Sequence, residues 1–331
     1  MMNSVNDSKF MIQAVEVAKE ARLHSSPNPW VGSVVVSNGE IISKAATGPP
    51  GEPHAEAQAL LEAGEKAQGA TLYTTLEPCN HYGKTGPCTE AIVNAQISRV
   101  VVAIKDPDEQ VSGSGIRTLL DAGIEVELGP GATEVLEQLA PYLCHRNTGR
   151  PYVVLKLAAT LDGRIAAPDG SSVWITGDEA RADVHQLRAE SDAVCVGAGT
   201  VRSDDPQLTV RAVEGTDPRR IVVGEIPEGA LVQPAESWTG DLNELLNNLG
   251  NQGVLQLLVE GGADVAGRFH RDGLVNRYVI YIAPAFLGGD DGKALFTGSG
   301  APTMEQIQRG RFTSITQLGN DVRVDLILEE N

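Results

Sequence analysis

His54-Ala55-Glu56 and Glu77-Pro78-Cys79-Asn80-His81-Tyr82-Gly83-Lys84-Thr85-Gly86-Pro87-Cys88 are the two runs on which the reading of this chain turns. One imidazole and two thiols, His54, Cys79 and Cys88, make three ligands suited to zinc. Structural zinc normally takes four protein ligands, whereas a catalytic site leaves one position for water. A closed site would need His81 or the Cys144-His145 pair as fourth ligand, and Glu56 would then have no role. As a non-ligand, Glu56 can carry protons. Bound zinc lowers the pKa of water from about 15.7 to roughly 7, about 12 kcal/mol at ~1.36 kcal/mol per unit. The chemistry implied is that of a hydrolytic deaminase.

Local sequence supports the convergence. His54 follows Pro53 and begins an apolar-periodic run, so it is expected in the first turn of a helix. Cys88 follows Pro87 and begins a second run. A helix N-terminus favours negative charge and lowers a thiol pKa, which is expected to hold Cys88 as thiolate. Residues i and i+2 do not share a helix face, so His54 and Glu56 can meet only beyond the helix end. Deaminases acting on nucleic-acid bases separate the two cysteines by two residues; here residues 80–87 intervene.

A chain of 331 residues is comfortable for two domains. No apolar run approaches the eighteen or so residues that span a bilayer, and Met1 to Phe10 lacks the basic-then-apolar order of a signal peptide. Four cysteines, two of them in the metal motif, make no disulfide framework. A cytoplasmic protein with no membrane partner is expected. The net charge of −18 and an aromatic content of 4% oppose a nucleic-acid partner, which needs clustered cations and stacking platforms. A small phosphorylated metabolite remains compatible, and a homo-oligomer is left open.

The fold class read from the pattern is α/β in two domains. Residues 1–149 read as helix 8–23, strands 31–37 and 40–46, helix 54–63, strand 70–75, helix 88–94, strand 99–104, helix 115–122, strand 124–128 and helix 133–146, a three-layer arrangement. Thr148-Gly149-Arg150-Pro151 breaks the alternation. Residues 150–331 restart with strand 152–158, helix 178–188, strands 192–196 and 220–224, helix 242–249, strand 255–259, helix 263–270, and strands 276–283 and 322–328.

In this second half, Val259-Glu260-Gly261-Gly262-Ala263 reads as strand, glycine turn and helix start, where backbone N–H groups can cradle phosphate. Val196-Gly197-Ala198-Gly199-Thr200 reads as a second strand running into a glycine turn. Both patterns also occur as ordinary tight turns, and no complete G-x-G-x-x-G fingerprint is present. Lys156, inside an apolar strand, demands a partner or a pocket. Arg188 at a helix end is open to a plain dipole contact, and Trp174 to a core position. Chemistry alone supports a pocket for an anionic ligand.

The pattern Asn28-Pro-Trp-Val-Gly, with the two runs quoted first, resembles the deaminase half of the bifunctional riboflavin-biosynthesis family RibD (RibG). Residues Leu155 to Arg164, Ser172 to Thr176, Gly199 to Arg211 and Val259 to Gly262 resemble its reductase half, in the family's domain order. The resemblance implies a zinc-dependent deaminase of cytidine-deaminase fold at 1–149 and an NADPH-dependent, dihydrofolate-reductase-like domain at 150–331. The implied substrate is 2,5-diamino-6-ribosylamino-4(3H)-pyrimidinone 5′-phosphate. It would be deaminated, then reduced at the ribosyl carbon to a ribityl chain. His54, Cys79 and Cys88 match the zinc ligands, one zinc per deaminase domain, and Glu56 the proton shuttle. Ala158, Trp174, Thr200, Asp204 and the Gly262-Ala263-Asp264-Val265-Ala266-Gly267-Arg268 turn match cofactor positions. Ser172, Arg188, Leu208, Arg211 and Glu260 match substrate positions, the arginines suited to the 5′-phosphate; Lys156 fits a substrate-side role, and Asn28 belongs to the deaminase pocket. Three departures stand out: Thr47 replaces a frequent histidine, Asp108-Glu109 replaces a frequent Asn-Pro, and residues 225–253, near the adenosine end of the cofactor, are short.

Overall fold

The computed structural model describes residues 2–108 and 111–329, and the chain divides into two compact units, Met1–Gly149 and Arg150–Asn331. The first contains α1 (Met2–Ala18), a short 3-10 turn, β1 (Gly32–Ser37), β2 (Glu40–Ala46), α2 (Ala55–Ala63), β3 (Thr71–Leu76), α3 (Cys88–Asn94), β4 (Arg99–Ile104), α4 (Ser114–Asp121), β5 (Glu125–Leu128), α5 (Ala132–Gln138) and α6 (Ala140–Thr148). Its sheet runs β2-β1-β3-β4-β5, antiparallel around β1 and parallel from β3 to β5. Val34-Val35-Val36 and Val100-Val101-Val102 are buried on successive residues, as a sheet covered on both faces requires. Val35, Leu72, Val100 and Val102 pack with Ala59, Leu60, Ile92 and Leu119 from α2, α3 and α4. Helices α1 and α5 contact the sheet and each other. Buried Asp7 fastens α1: it accepts from Tyr73 Oη (2.7 Å) and from both Arg99 terminal nitrogens (2.9 Å each).

The second unit contains β6 (Tyr152–Thr160), β7 (Arg164–Ala166), α7 (Asp178–Ala189), β8 (Ala193–Gly197), α8 (Ala198–Asp204), β9 (Arg219–Val223), β10 (Glu236–Trp238), α9 (Leu242–Asn251), β11 (Gln256–Val259), α10 (Ala263–Arg271), β12 (Arg277–Ala283), β13 (Lys293–Ala294), β14 (Gly310–Leu318) and β15 (Asp321–Leu328). Its main sheet runs β10-β9-β8-β11-β6-β12-β15-β14; strands β10 through β12 in that order are parallel, while β15 and β14 are antiparallel. One apolar cluster joins β6, β8 and β11 to α9 and α10 through Leu155, Leu245 and Phe269; a second joins the sheet to α7 and α8 through Val184 and Val201.

Several local expectations are corrected. The helix expected over 133–146 is two helices, because Pro141 at the start of α6 lacks the N–H that would continue the first. The Gly199-Thr200 turn is instead the first turn of α8, with Gly197 as its N-cap. Gly310–Leu318 forms a long hairpin strand with β15 that periodicity did not signal, since nearly all of it is exposed and no buried face imposes an apolar alternation. No helix among the described residues is long and apolar enough to cross a membrane.

Gly32 shows how closely α1 lies on the sheet: a Cβ there would fall 2.0 Å from the Ala14 carbonyl oxygen. Gly32→Ala is expected to destabilise the first unit by about 1–3 kcal/mol through overpacking. A chemical-denaturation midpoint equal to that of the parent would refute this close packing.

Candidate functional site

The parallel strands β3 and β4 carry their next loops to the same edge of the first sheet, where ligands of open α/β sheets gather. Cys79 follows β3 by a short turn. His54 is the N-cap of α2, with extended backbone (φ −73°, ψ 165°) and no side-chain cap bond; the first-turn position expected from sequence shifts by one residue. Cys88 is the first residue of α3. Their ligand atoms all lie within 4.8 Å of one another, and among the described residues this cluster holds three donors. His81, Cys144 and His145 are outside it, leaving no closed four-ligand site among those residues.

The spacing suits a metal. His54 Nδ1 is 3.5 Å from Cys79 Sγ and 3.4 Å from Cys88 Sγ. A tetrahedron with nitrogen and sulfur bonds of about 2.0–2.1 and 2.3 Å has N–S edges of about 3.5 Å. Glu56, in the first turn of α2, is buried and not part of the cluster. Burial first, then the Cys79 sulfur, pushes its pKa up to about 7. The two sulfurs divide their ionisation unequally. Cys79 is held low by the hydrogen bond from Cys88, while Cys88 is pushed up by that same bond and by burial. The backbone N–H of Cys88 donates to Cys79 Sγ at 3.3 Å. The helix-terminus field expected to act on Cys88 therefore acts on Cys79.

A buried carboxylate holds this edge together. Glu77 Oε2 accepts from Gly113 N (3.0 Å) and Asp106 N (3.4 Å), and Oε1 accepts from Ile116 N (3.1 Å). Gly115 touches the metal-side turn so closely that a Cβ would lie 2.1 Å from the Pro78 carbonyl oxygen. A cavity of about 380 Å³ opens beside the cluster, with Asn28, Thr47, His54, Glu56, Cys79, Lys84, Asp106, Asp108, Tyr142 and Arg146 in its wall. Thr47 is buried and its hydroxyl bonds the Val31 backbone. Glu109 lies outside the described residues.

In the second unit a cavity of about 640 Å³ gathers Lys156, Ala158, Ser172, Trp174, Arg188, Thr200, Asp204, Leu208, Arg211, Glu260 and Gly262. Ala263 to Arg268 are not in its wall; they form the first turns of α10. The buried charges pair. Arg188 Nε and Nη2 donate to the two Glu260 oxygens (2.6 and 3.0 Å), Arg188 Nη1 donates to Thr209 O (3.2 Å), and Lys156 Nζ lies 4.0 Å from Glu260. Burial alone would raise Glu260, but the Arg188 charge and hydrogen bonds, with Lys156, hold its pKa below the ordinary value. Burial lowers the pKa of Lys156 against the pull of Glu260. Arg188 is therefore more than a dipole contact: its fork is committed to Glu260.

Trp174 is 72% exposed, not core, and Arg181 sits over its ring at 4.4 Å. Arg211 Nη1 donates to Gln207 and Thr209 within its own loop, and its backbone N–H donates to His185 Nδ1 at 3.2 Å. Buried Leu208 holds a left-handed backbone (φ 54°), a strain that surrounding contacts must maintain. Sequence reading passed over Arg181 and His185, which line the cavity; their spacing to Arg188 along α7 puts them on one helix face and was a legible signal. Residues 225–253, short by resemblance, include β10 and all of α9, and contribute Leu231 to the wall.

A family model for the cytidine and deoxycytidylate deaminase zinc-binding region matches residues 4–104, and one for the RibD C-terminal domain matches residues 151–324. The chain is 38% identical to riboflavin biosynthesis protein RibD of Escherichia coli (strain K12), over 98% of this chain and 100% of that one. It is 39% identical to the protein of that name from Mycobacterium tuberculosis (strain ATCC 25618 / H37Rv), over 95% of each. Among solved structures it is similar to Acinetobacter baumannii RibD (TM-score 0.92, 38% identity, 99% of this chain and 100% of that one). A Thermotoga maritima diaminohydroxyphosphoribosylaminopyrimidine deaminase/5-amino-6-(5-phosphoribosylamino)uracil reductase matches with TM-score 0.89 and 33% identity, over 99% of this chain and 100% of that one.

Cys88→Ala is expected to lose stoichiometric zinc, whereas Glu56→Ala keeps it, by metal analysis of the purified proteins. Loss of metal from Glu56→Ala would make that carboxylate a ligand and contradict its assignment.

Proposed function

The chain belongs to the RibD family of bifunctional riboflavin-biosynthesis enzymes, and from that premise we propose how its residues divide the two reactions. His54, Cys79 and Cys88 hold zinc, which when bound makes water acidic enough to supply a nucleophile at neutral pH. Glu56 takes one proton from the attacking water and gives it to the ring nitrogen of 2,5-diamino-6-ribosylamino-4(3H)-pyrimidinone 5′-phosphate, then carries the remaining hydroxyl proton to the amine, which leaves as ammonia while the carbonyl forms. A positioned proton carrier of this kind contributes roughly 10²–10⁴-fold, and burial of Glu56 suits it to hold a proton between the two transfers. The observation that carries this reading is the three-donor cluster at tetrahedral spacing with a buried carboxylate outside the cluster, two residues from His54 in the first turn of α2.

The second unit, residues 150–331, is proposed to reduce the deaminated ribotide. NADPH supplies the hydride that converts the ribosyl group to ribityl. Trp174, Ala158, Thr200, Asp204 and Gly262, with the backbone N–H groups at the start of α10, are assigned to that cofactor. Ser172, Leu208, Arg211, Glu260 and Lys156 are assigned to the substrate, with Arg188 holding Glu260 in its ionised form. The net charge of −18 supports a small-molecule ligand and no nucleic acid. The outward Phe312 and Ile315 of β14, each 64% exposed, support a homo-oligomer.

Supplying the diaminopyrimidine ribotide tests the reading. Ammonia is expected without NADPH, and NADPH oxidation only once deamination has occurred. Glu56→Ala should block both steps, yet still oxidise NADPH when the deaminated ribotide is supplied. Absence of ammonia release from the parent protein would overturn the deaminase assignment.

Arg211 is tested separately. Losing a charge-assisted hydrogen bond costs roughly 1.5–3 kcal/mol, so Arg211→Ala should raise the reductase KM for the ribotide about ten- to a hundredfold, with NADPH affinity and deaminase rate unchanged. If only the melting temperature falls, the side chain merely braces its loop through Gln207 and Thr209.

A further inference from the structure

Carboxyl groups outnumber permanent cations in the wall of the deaminase cavity. Glu52, Glu56, Glu77, Asp106 and Asp108 contribute carboxyl groups to its wall, against the permanent cations of Lys84 and Arg146. Glu77 is met by three backbone N–H groups. Asp106 is met by the Tyr142 hydroxyl (3.1 Å) and the Asp108 N–H (2.9 Å). Asp108 is met by a charge: Arg146 Nε lies 3.6 Å from Asp108 Oδ2, with the side chains 33% and 27% exposed. Arg146 follows Tyr142 by one helical turn of α6, on the same face, and its guanidinium lies 5.1 Å from the Tyr142 ring centroid. Asp106, Tyr142, Arg146 and Asp108 thus form one connected stretch of pocket wall.

We infer that Arg146 is a specificity-determining residue of the deaminase, cancelling the Asp108 carboxylate so that an anionic ribotide can bind against this wall. The inference rests on the deaminase reading above. Where the resembled family often has a neutral asparagine, this chain has a carboxylate with its own counter-charge, so the Asp108–Arg146 pair adds no net charge to the wall. Without Arg146, a partly buried carboxylate would face a phosphate-bearing ligand, and like charges brought together at a binding surface oppose association.

The test is a double-mutant cycle in the full-length, zinc-loaded protein, with deaminase KM and kcat measured for the parent, Arg146→Ala, Asp108→Asn and the double variant. Arg146→Ala should raise KM by roughly tenfold or more, with kcat within about threefold, and the double variant should return KM to within about threefold of Asp108→Asn, because contacting charges couple. Zinc content and NADPH-dependent reduction of the deaminated ribotide should match the parent in all variants. An unmoved KM in Arg146→Ala, with or without a fall in melting temperature, overturns the inference. So does a double variant as impaired as Arg146→Ala, which would make the arginine a direct ligand. A parent protein that releases no ammonia sinks the deaminase reading and this inference together; normal release with an unmoved KM sinks this inference alone.

Discussion

The deaminase site depends on one buried carboxylate that does no chemistry. Glu77 lies between the end of β3 and the first turn of α4, and its two oxygens collect three backbone N–H groups from residues 106, 113 and 116. A buried anion is expensive unless hydrogen-bonded, and the donors it finds among the described residues lie on the loop after β4 and at the start of α4. Satisfying Glu77 therefore sets the distance between the turn carrying Cys79 and the loop carrying Asp106 and Asp108. The contact of Gly115 with the Pro78 carbonyl leaves no room for that distance to vary.

The second unit solves the same problem with charge instead of backbone. Glu260, at the end of a fully buried strand, is held between Arg188 from α7 and Lys156 from β6. Breaking such a set by removing one member costs far more than the set contributes in net stability, so its value is in orientation. The ion cluster fixes the floor of the cavity, while the exposed Trp174 and the Arg211 loop form its more accessible rim.

The two halves differ in how much of their sites could be read from sequence. The candidate metal donors were legible because zinc restricts ligand type and each donor adjoins a proline or a helix start, which are local signals. The α/β alternation was legible because doubly covered strands write continuous apolar runs, as in Val34-Val35-Val36. The helix break at Pro141 was also local, and an unbroken apolar period concealed it. Strand β14 left little trace because a hairpin edge that buries no face needs no apolar alternation.

What the sequence by itself determined was chemical identity: one imidazole and two thiols of a kind that can hold a metal, a carboxylate beside them, and a cation inside a strand that had to find a partner. What only the tertiary structure decided was who answers whom. It made Cys79, not Cys88, the sulfur that receives the α3 N-terminal N–H, committed the Arg188 fork to Glu260, and brought Arg146 to Asp108 from a different element. Periodicity records which face of an element is buried. Partners distant in the chain meet only through packing, and the packing settles which charge is compensated, which proton is held, and which group is left facing the ligand.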